Sequence, residues 1–286
     1  MRIPNKNYLT YLSKGTRGAL THLRLAQPRK IKKLRAGAAF GSLYNLITQF
    51  TQTKLNKETY NLTKTFSDYV HTIDIIIDNP NYTPRQKAQF SVHHLKQSAE
   101  LNTQLNKFVN QLKRTKLTKE QKNSIIKLAA QFRRKTVKEV EETMKNPFDS
   151  KENTLRGVEQ TTGEFLGTIA QMHAIMHNLS LKQTTETKKN FKTIGCALQL
   201  RDDFRDCALD YGHVQNTTVS VAQKYPKELE KIQQRRQQNI PRDWARKNIP
   251  KTFFEITQTF EKYIEQLPNN PQANKLAKMC RSLFYM

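Results

Sequence analysis

From Gln199 to Asp210 the chain reads Gln-Leu-Arg-Asp-Asp-Phe-Arg-Asp-Cys-Ala-Leu-Asp, four carboxylates in an otherwise apolar stretch. On a helix of about 3.6 residues per turn, Asp202, Asp206 and Asp210 fall one turn apart on one face, with Asp203 and Gln199 on its flanks. Leu200, Phe204, Cys207 and Tyr211 form the opposite, apolar stripe. Carboxylates that converge without compensation repel and raise their own pKa values. A divalent cation is the simplest compensation. Hard oxygen ligands with room for water and phosphate oxygens suit Mg²⁺ better than a nitrogen- or sulfur-seeking metal.

A second acid pair, Asp74 and Asp78, lies in the stretch from Phe66 to Asp78, which Asn79-Pro80 closes because proline disfavours continuation of a helix. Phe66, Tyr69, Ile73, Ile76 and Ile77 form an apolar stripe at helical spacing, and Ser67, His71, Asp74 and Asp78 share the other side. Three successive isoleucines would also suit a buried strand, but the length of the periodic pattern and the lack of a partner strand favour helix. Taken alone, this spacing describes two exposed acids on a helix as well as it describes a metal face. His71 stands beside Asp74, with no His-His or Cys-His spacing that would suit zinc.

The elements that must position these acids are helical by composition. With 286 residues and 36% hydrophobic content, the chain can build one large all-α domain, expected over residues 36–286 after a basic segment 1–35. No acidic residue precedes Glu58, whereas Arg2, Lys6, Lys14, Arg17, Arg24, Arg29, Lys30, Lys32, Lys33 and Arg35 do. Such a segment reads as a solvated arm, as an organellar address or as a surface for anionic lipid. The net charge of +25 points to an anionic partner without choosing between nucleic acid, a membrane surface and a phosphorylated substrate. Three cysteines, Cys196, Cys207 and Cys280, have no metal-ligand spacing and fit free thiols in a reducing, cytoplasmic setting. No apolar run approaches the roughly 20 residues that span a bilayer, so the expectation is a soluble protein or one peripheral to a membrane, with organellar import left open.

Amphipathic helices are expected from about Pro84 to Thr115 and from Thr118 to Lys145, the second opened by a Thr118–Gln121 capping box and stopped by Asn146-Pro147. A more apolar helix follows from Thr154 to Asn178. Gly163 and Gly167, one turn apart within it, mark tight helix packing or a close approach of substrate. His173 on the same helix reads as a core residue. Gly212-His213 ends the acid-bearing helix, and Asn216 to Ser220 starts a short one. Lys227 to Lys251 reads as a very basic exposed region, and the helix after it, Thr252 to Leu267, is expected to bury Phe253, Phe254, Ile256, Phe260 and Ile264. No glycine-rich phosphate loop, nucleophile elbow, dinucleotide fingerprint or internal repeat is present.

Two separated acid motifs on an all-helical chain of this size resemble the class I isoprenoid synthases, the fold shared by prenyl diphosphate synthases, squalene and phytoene synthases and class I terpene cyclases. Asp74-Ile75-Ile76-Ile77-Asp78 looks like the first aspartate-rich motif. Gln199 to Asp206 is similar to the second motif of prenyl diphosphate synthases, and Arg205 to Asp210 also matches the form found in squalene and phytoene synthases. The resemblance covers roughly residues 36 to 225. It implies a helical bundle with a central apolar cavity. It also implies that Asp74, Asp78, Asp202, Asp206 and Asp210 bind several Mg²⁺ ions, with Asp74, Asp78, Asp202 and Asp206 directly catalytic.

The implied reaction is ionisation of an allylic prenyl diphosphate of farnesyl or geranylgeranyl type, with release of diphosphate. Arg201, Arg205 and Lys192 are candidate diphosphate clamps, and Gln199, Asp203, His71, Gly163 and Gly167 are further candidates for the substrate site. Phe165, Leu166 and Met172 are candidate pocket residues, and Phe204 reads as core. The Gly-Gly-Lys and Arg-Pro segment that holds isopentenyl diphosphate in chain-elongating synthases is missing. The first motif also opens with one aspartate where those enzymes show two. The sequence therefore points to head-to-head coupling or cyclisation ahead of head-to-tail elongation. Asn216 and Ser220 imitate a cyclase metal triad, but Lys224 stands where its glutamate belongs. A basic nucleic-acid-binding protein is the alternative from another class; it explains the charge and leaves the aligned carboxylates unexplained, so nucleic acid is not the expected partner. A monomer or homodimer, in possible contact with an anionic membrane, completes the expectation.

Overall fold

The computed structural model describes residues 28–77, 99–145, 149–212, 215–235 and 238–285. No strand occurs among them. The chain divides into two compact units, Met1–Leu55 and Asn56–Met286. The expected boundary at residue 35 falls inside the first helix, α1 (Pro28–Thr51), and the basic arm expected before it lies outside the described residues. In the first unit Phe40, Tyr44 and Ile47 are buried, and the rings of Phe40 and Tyr44 stack with centroids 6.3 Å apart. Gln52, at φ 54°, ends α1.

The second unit opens with α2 (Lys57–Ile77), capped by Asn56, whose Oδ1 accepts from Glu58 N at 2.8 Å. Next come α3 (Ala99–Arg114) and α4 (Lys119–Lys145). The capping box at the start of α4 forms as expected: Thr118 N donates to Gln121 Oε1 at 2.9 Å and Gln121 N to Thr118 Oγ1 at 3.2 Å. Of the stretch Pro84 to Thr115, the described helical part begins at Ala99.

The single helix expected from Thr154 to Asn178 is three segments: α5 (Lys151–Val158), a π turn (Glu159–Gly163) and α6 (Glu164–Met176). The acid-bearing helix, α7 (Leu181–Asp210), runs 30 residues from a Ser180–Gln183 capping box to Gly212, whose φ of 77° breaks it. Short helices α8 (Thr217–Ala222), α9 (Pro226–Gln234) and α10 (Arg242–Asn248) lead to α11 (Pro250–Glu265) and α12 (Pro271–Tyr285).

Helix α7 is the hub, packed against α6, α8, α11 and α12, while α2 lies against α3 and α6. Aromatic rings fasten both sides. Phe66 of α2 meets Phe108 of α3 at 5.4 Å and Phe132 of α4 at 5.6 Å, and Phe132 meets Phe165 of α6 at 6.1 Å. On the far side Phe204 of α7 meets Phe253 at 5.4 Å, and Phe260 stacks on Phe284 at 4.1 Å. Phe204 is core, as its place in the apolar stripe predicts.

Two expectations are refined here. Lys227, Lys231, Arg246, Lys247 and Lys251 are exposed as expected, but the stretch is also a pair of anchored helices, because Ile232, Ile240, Ala245 and Ile249, spread among the charges, are all buried. Buried Glu228 of α9 completes the anchor by accepting from Lys251 N and Thr252 N at 3.1 and 2.8 Å, capping α11. In α11, Ile256, Phe260 and Ile264 are buried, but Phe254 is 60% exposed and Phe253 only half-buried. Residues one position apart on a helix point about 100° apart, so Phe254 falls off the stripe.

His173 of α6 is fully buried and its ring lies 4.3 Å from that of His177. Burial, with the neighbouring His177 adding to it, pushes its pKa down to about 3. The unfolded chain therefore takes up this proton first, near the ordinary value of 6.5, and the folded chain resists it. Stability is full above that value and falls by up to about 1.4 kcal/mol per pH unit as pH drops towards 3. His173→Leu is expected to flatten that acid-side slope, measured as the urea midpoint against pH. No described helix is long and apolar enough to cross a membrane.

Candidate active site

Three glycines set the spacing between α6 and α7. A Cβ on Gly195 would lie 2.7 Å from the Thr162 carbonyl oxygen and 3.0 Å from Gly163 Cα; one on Gly163 would lie 2.6 Å from Cys196 Sγ. A Cβ on Gly167 would sit 3.1 Å from the Lys188 carbonyl oxygen and 3.2 Å from Lys192 Cβ. The two backbones thus meet where any side chain would part them. Gly163 and Gly167, expected beside substrate or in a helix contact, face α7 and belong to the contact.

At that crossing the π turn carries Thr162 against α7. Thr162 Oγ1 donates to Gln199 Oε1 at 2.8 Å, and Gln199 Nε2 donates to Asp203 Oδ1 at 2.7 Å. The N-terminus of α8 closes the chain, with Thr217 N donating to Asp203 Oδ2 at 2.9 Å. Asp203 is buried. Burial pushes its pKa up to about 6 against the opposing bonds from Thr217 and Gln199. The expectation that Asp203 flanks the open acid face is corrected: it points inward and ties α7 to α8, because a helix start offers unpaired N–H groups and a favourable dipole. Gln199, its partner, is drawn into the same internal network.

Asn216 shares this task. Fully buried, it donates through Nδ2 to the Asp203 carbonyl and to Asp210 Oδ2, both at 2.8 Å, while its Oδ1 accepts from Thr218 N and Val219 N at 2.9 and 3.2 Å. Ser220 is hydrogen-bonded to Thr154 at 2.9 Å and Lys224 lies 3.4 Å from Glu255, so Asn216, Ser220 and Lys224 serve three separate contacts. Asn216→Ala removes a helix cap and leaves buried groups unpaired. The expected loss is about 2 to 3 kcal/mol in chemical denaturation, with α8 held to α7 by the Thr217–Asp203 bond alone among these contacts.

Asp202 and Asp206 present the open face. Asp202 is half-exposed, with 51% of its side chain accessible, and Asp206 keeps 20%. Partial burial raises the Asp202 pKa, with Arg205 pulling the other way. Arg205 binds both acids: its Nη2 lies 2.8 Å from Asp202 Oδ1 and 2.6 Å from Asp206 Oδ2, and its Nε donates to Asp206 Oδ1 at 2.9 Å. Asn239, from the turn between α9 and α10, also donates to Asp206. The same turn is pinned to α7 by Ile240 N, which donates to the Arg205 carbonyl at 2.8 Å.

The other candidates are spread around this face. Arg201 donates through Nε to the Leu283 carbonyl at 3.1 Å, held by α12; burial and the nearby Arg205 lower its pKa. Lys192 lies 4.0 Å from Glu159, which also accepts from Tyr263 at 3.1 Å. Leu166 is buried and Phe165 half-buried against Phe132. His71 is exposed on α2. Asp74 lies in the last turn of α2, but its side chain, and all of Asp78, lie outside the described residues. A cleft of about 380 Å³ between α3 and α4, lined by Val109, Leu112, Lys113, Lys119, Lys122, Asn123 and Ile126, includes none of the acid-face residues.

Sequence reasoning missed Thr162, Asn239 and buried Glu164. The Glu164 carboxylate meets Lys188 at 2.8 Å and Lys135 at 3.6 Å. Burial raises its pKa, but the Lys188 hydrogen bond and the surrounding lysines outweigh this and hold it below the usual range. The four-residue spacing from Gln199 to Asp203 is visible in the sequence, whereas the Glu164–Lys188 pair joins two helices and leaves no local pattern.

Among the described residues no group of three His, Cys, Asp or Glu side chains converges closely enough to hold a metal. Asp202 and Asp206 fit Mg²⁺ in kind: hard oxygen donors one turn apart on α7, both held in this structure by the Arg205 guanidinium.

No protein-family model matches the chain, and no curated protein matches its sequence. Solved structures do match. A geranylgeranyl pyrophosphate synthase from Lactobacillus brevis aligns over 98% of this chain and 96% of its own at TM-score 0.59 and 15% identity. A geranylgeranyl pyrophosphate synthetase from Pyrococcus horikoshii aligns over 98% and 94% at TM-score 0.61 and 10% identity. A heptaprenyl diphosphate synthase from Staphylococcus aureus aligns over 100% and 99% at TM-score 0.58 and 16% identity. The chain has the all-α fold of the class I isoprenoid synthases.

Proposed function

We propose that the protein is a Mg²⁺-dependent prenyltransferase that ionises an allylic prenyl diphosphate, releasing diphosphate, and joins the resulting cation head to tail to isopentenyl diphosphate, which then loses a proton to form the new double bond. The observation that carries this reading is the accessible Asp202–Asp206 pair on the hub helix of this fold. The order of reactions differs from the sequence-based expectation, since the structures it resembles are named as geranylgeranyl and heptaprenyl diphosphate synthases. Coupling or cyclisation is the second reading, favoured by the missing Gly-Gly-Lys and Arg-Pro segment.

Asp202 and Asp206 would hold Mg²⁺ from α7, together with Asp74, in the last turn of α2, and Asp78, four residues further along the sequence. Bound there, Mg²⁺ would neutralise the charge that develops on diphosphate as the carbon–oxygen bond breaks. The chain itself contributes position. The Thr162–Gln199–Asp203–Thr217 chain fixes the rotation of α7, so Asp202 and Asp206 face outward together. Arg205 supplies a guanidinium suited to a diphosphate in bidentate fashion, with Lys192 as a second cation. Phe165 and Leu166 would line the apolar space that shields the cation from water.

Radiolabelled isopentenyl diphosphate, incubated with geranyl, farnesyl or geranylgeranyl diphosphate and Mg²⁺, tests the reading. Label recovered in a longer prenyl diphosphate is the expected result. A hydrocarbon formed without isopentenyl diphosphate would transfer the assignment to coupling or cyclisation.

A further inference from the structure

Asp206 has no free oxygen in the face it presents. Its Oδ2 accepts from Arg205 Nη2 at 2.6 Å, and its Oδ1 accepts from Arg205 Nε at 2.9 Å and from Asn239 Nδ2. The same Nη2 lies 2.8 Å from Asp202. One guanidinium, 43% exposed, therefore bridges both acids that the proposed chemistry assigns to metal. The planar fork is the strongest geometry such a pair can adopt. The bond to Asp206 raises the Arg205 pKa further, so the charge persists at any working pH.

Two carboxylates and one guanidinium sum to a single negative charge, a poor host for a divalent ion. A metal arriving with Arg205 in place meets a cation at contact range; a metal arriving after it leaves meets two free acids. The displaced guanidinium then needs another anion. Diphosphate offers oxygens in the same bidentate arrangement. Arg201, one turn earlier, is a weaker candidate for this exchange, because its Nε is held by the Leu283 carbonyl at 3.1 Å.

We infer that Arg205 is an internal counter-cation that makes metal loading of Asp202 and Asp206 depend on the arrival of diphosphate; the inference rests on the reading of this face as the metal face. Metal and diphosphate then favour each other's binding by the same factor. The full-length protein binds substrate and metal as one event, and free metal alone leaves the site closed by its own arginine.

Mn²⁺ binding, read by electron paramagnetic resonance with and without inorganic diphosphate and corrected for the Mn²⁺–diphosphate complex in solution, tests this. Wild type should bind Mn²⁺ weakly alone and tightly with diphosphate. Arg205→Gln should bind Mn²⁺ alone about tenfold more tightly, and the gain from diphosphate should shrink by about the same factor. Thermal melting establishes that the variant is folded. If it is not, Arg205→Lys carries the test: its ammonium cannot fork across both acids, so Mn²⁺ affinity without diphosphate should rise about threefold. Wild-type affinity in whichever variant folds, or an undiminished gain from diphosphate, overturns the inference. Absence of Mn²⁺ binding in wild type and variant, with and without diphosphate, removes the metal-face reading beneath it as well.

Discussion

Asp206→Ala is expected to slow diphosphate release from an allylic substrate by about a thousandfold, the scale seen when a group stabilising developing charge is removed. Asp206 is placed for this by its position on α7 rather than by its contribution to folding: it keeps 20% exposure and its partners are Arg205 and Asn239, both able to turn to solvent. The thermal midpoint should fall only moderately, because losing this half-buried bidentate pair costs about 1 to 3 kcal/mol. Asp243→Ala, at an exposed acid in the first turn of α10, is the matched control and should release diphosphate at the wild-type rate. Equal rates in the two variants would mean that Asp206 does not serve the chemistry.

The largest loss of stability is expected from Gly195→Val. The added side chain would enter the backbone of the π turn, 2.7 Å from the Thr162 carbonyl oxygen and 3.0 Å from Gly163 Cα, where no flexible side chain can yield. Helix propensity favours leaving glycine by about 0.5 to 1 kcal/mol, yet overpacking against two backbones should outweigh it and give a net loss of about 3 kcal/mol or more. The Thr162–Gln199 bond crosses the same contact, so activity should fall with stability. Gly167→Ala grades the series: its Cβ would meet the Lys188 carbonyl at 3.1 Å and Lys192 Cβ at 3.2 Å, a tight contact that a small shift relieves. A urea midpoint for Gly195→Val equal to that of wild type would show that α6 and α7 are not held this closely.

Much of this architecture is legible in the sequence where the signal is periodic. The stripe of Leu200, Phe204 and Cys207 gives the buried side of α7, and Asn146-Pro147, Gly212 and the Thr118–Gln121 box mark helix ends that the structure shares or abuts. The π turn is not legible, because Glu159 to Gly163 carries a helical pattern and the extra residue per turn answers to the partner helix. Asp203 is the informative error. Its spacing puts it beside Asp202, and only the arrival of α8, fourteen residues later, decides that it turns inward to Thr217 N. Phe254 fails for a related reason: two adjacent phenylalanines cannot both lie on one stripe, and the sequence does not say which one the neighbours cover. The choice among elongation, coupling and cyclisation leaves still less local trace, since it depends on what surrounds the cation after ionisation.

The central claim, that the acid face of α7 ionises a prenyl diphosphate with Mg²⁺, is tested most directly by measuring diphosphate release. Geranyl, farnesyl and geranylgeranyl diphosphate should each be offered to the full-length protein, with and without isopentenyl diphosphate and with and without Mg²⁺. Release from at least one of them that requires Mg²⁺ and disappears in Asp206→Ala is the predicted result. No release from any of the three at any Mg²⁺ concentration, by protein with an intact thermal transition, would contradict the account.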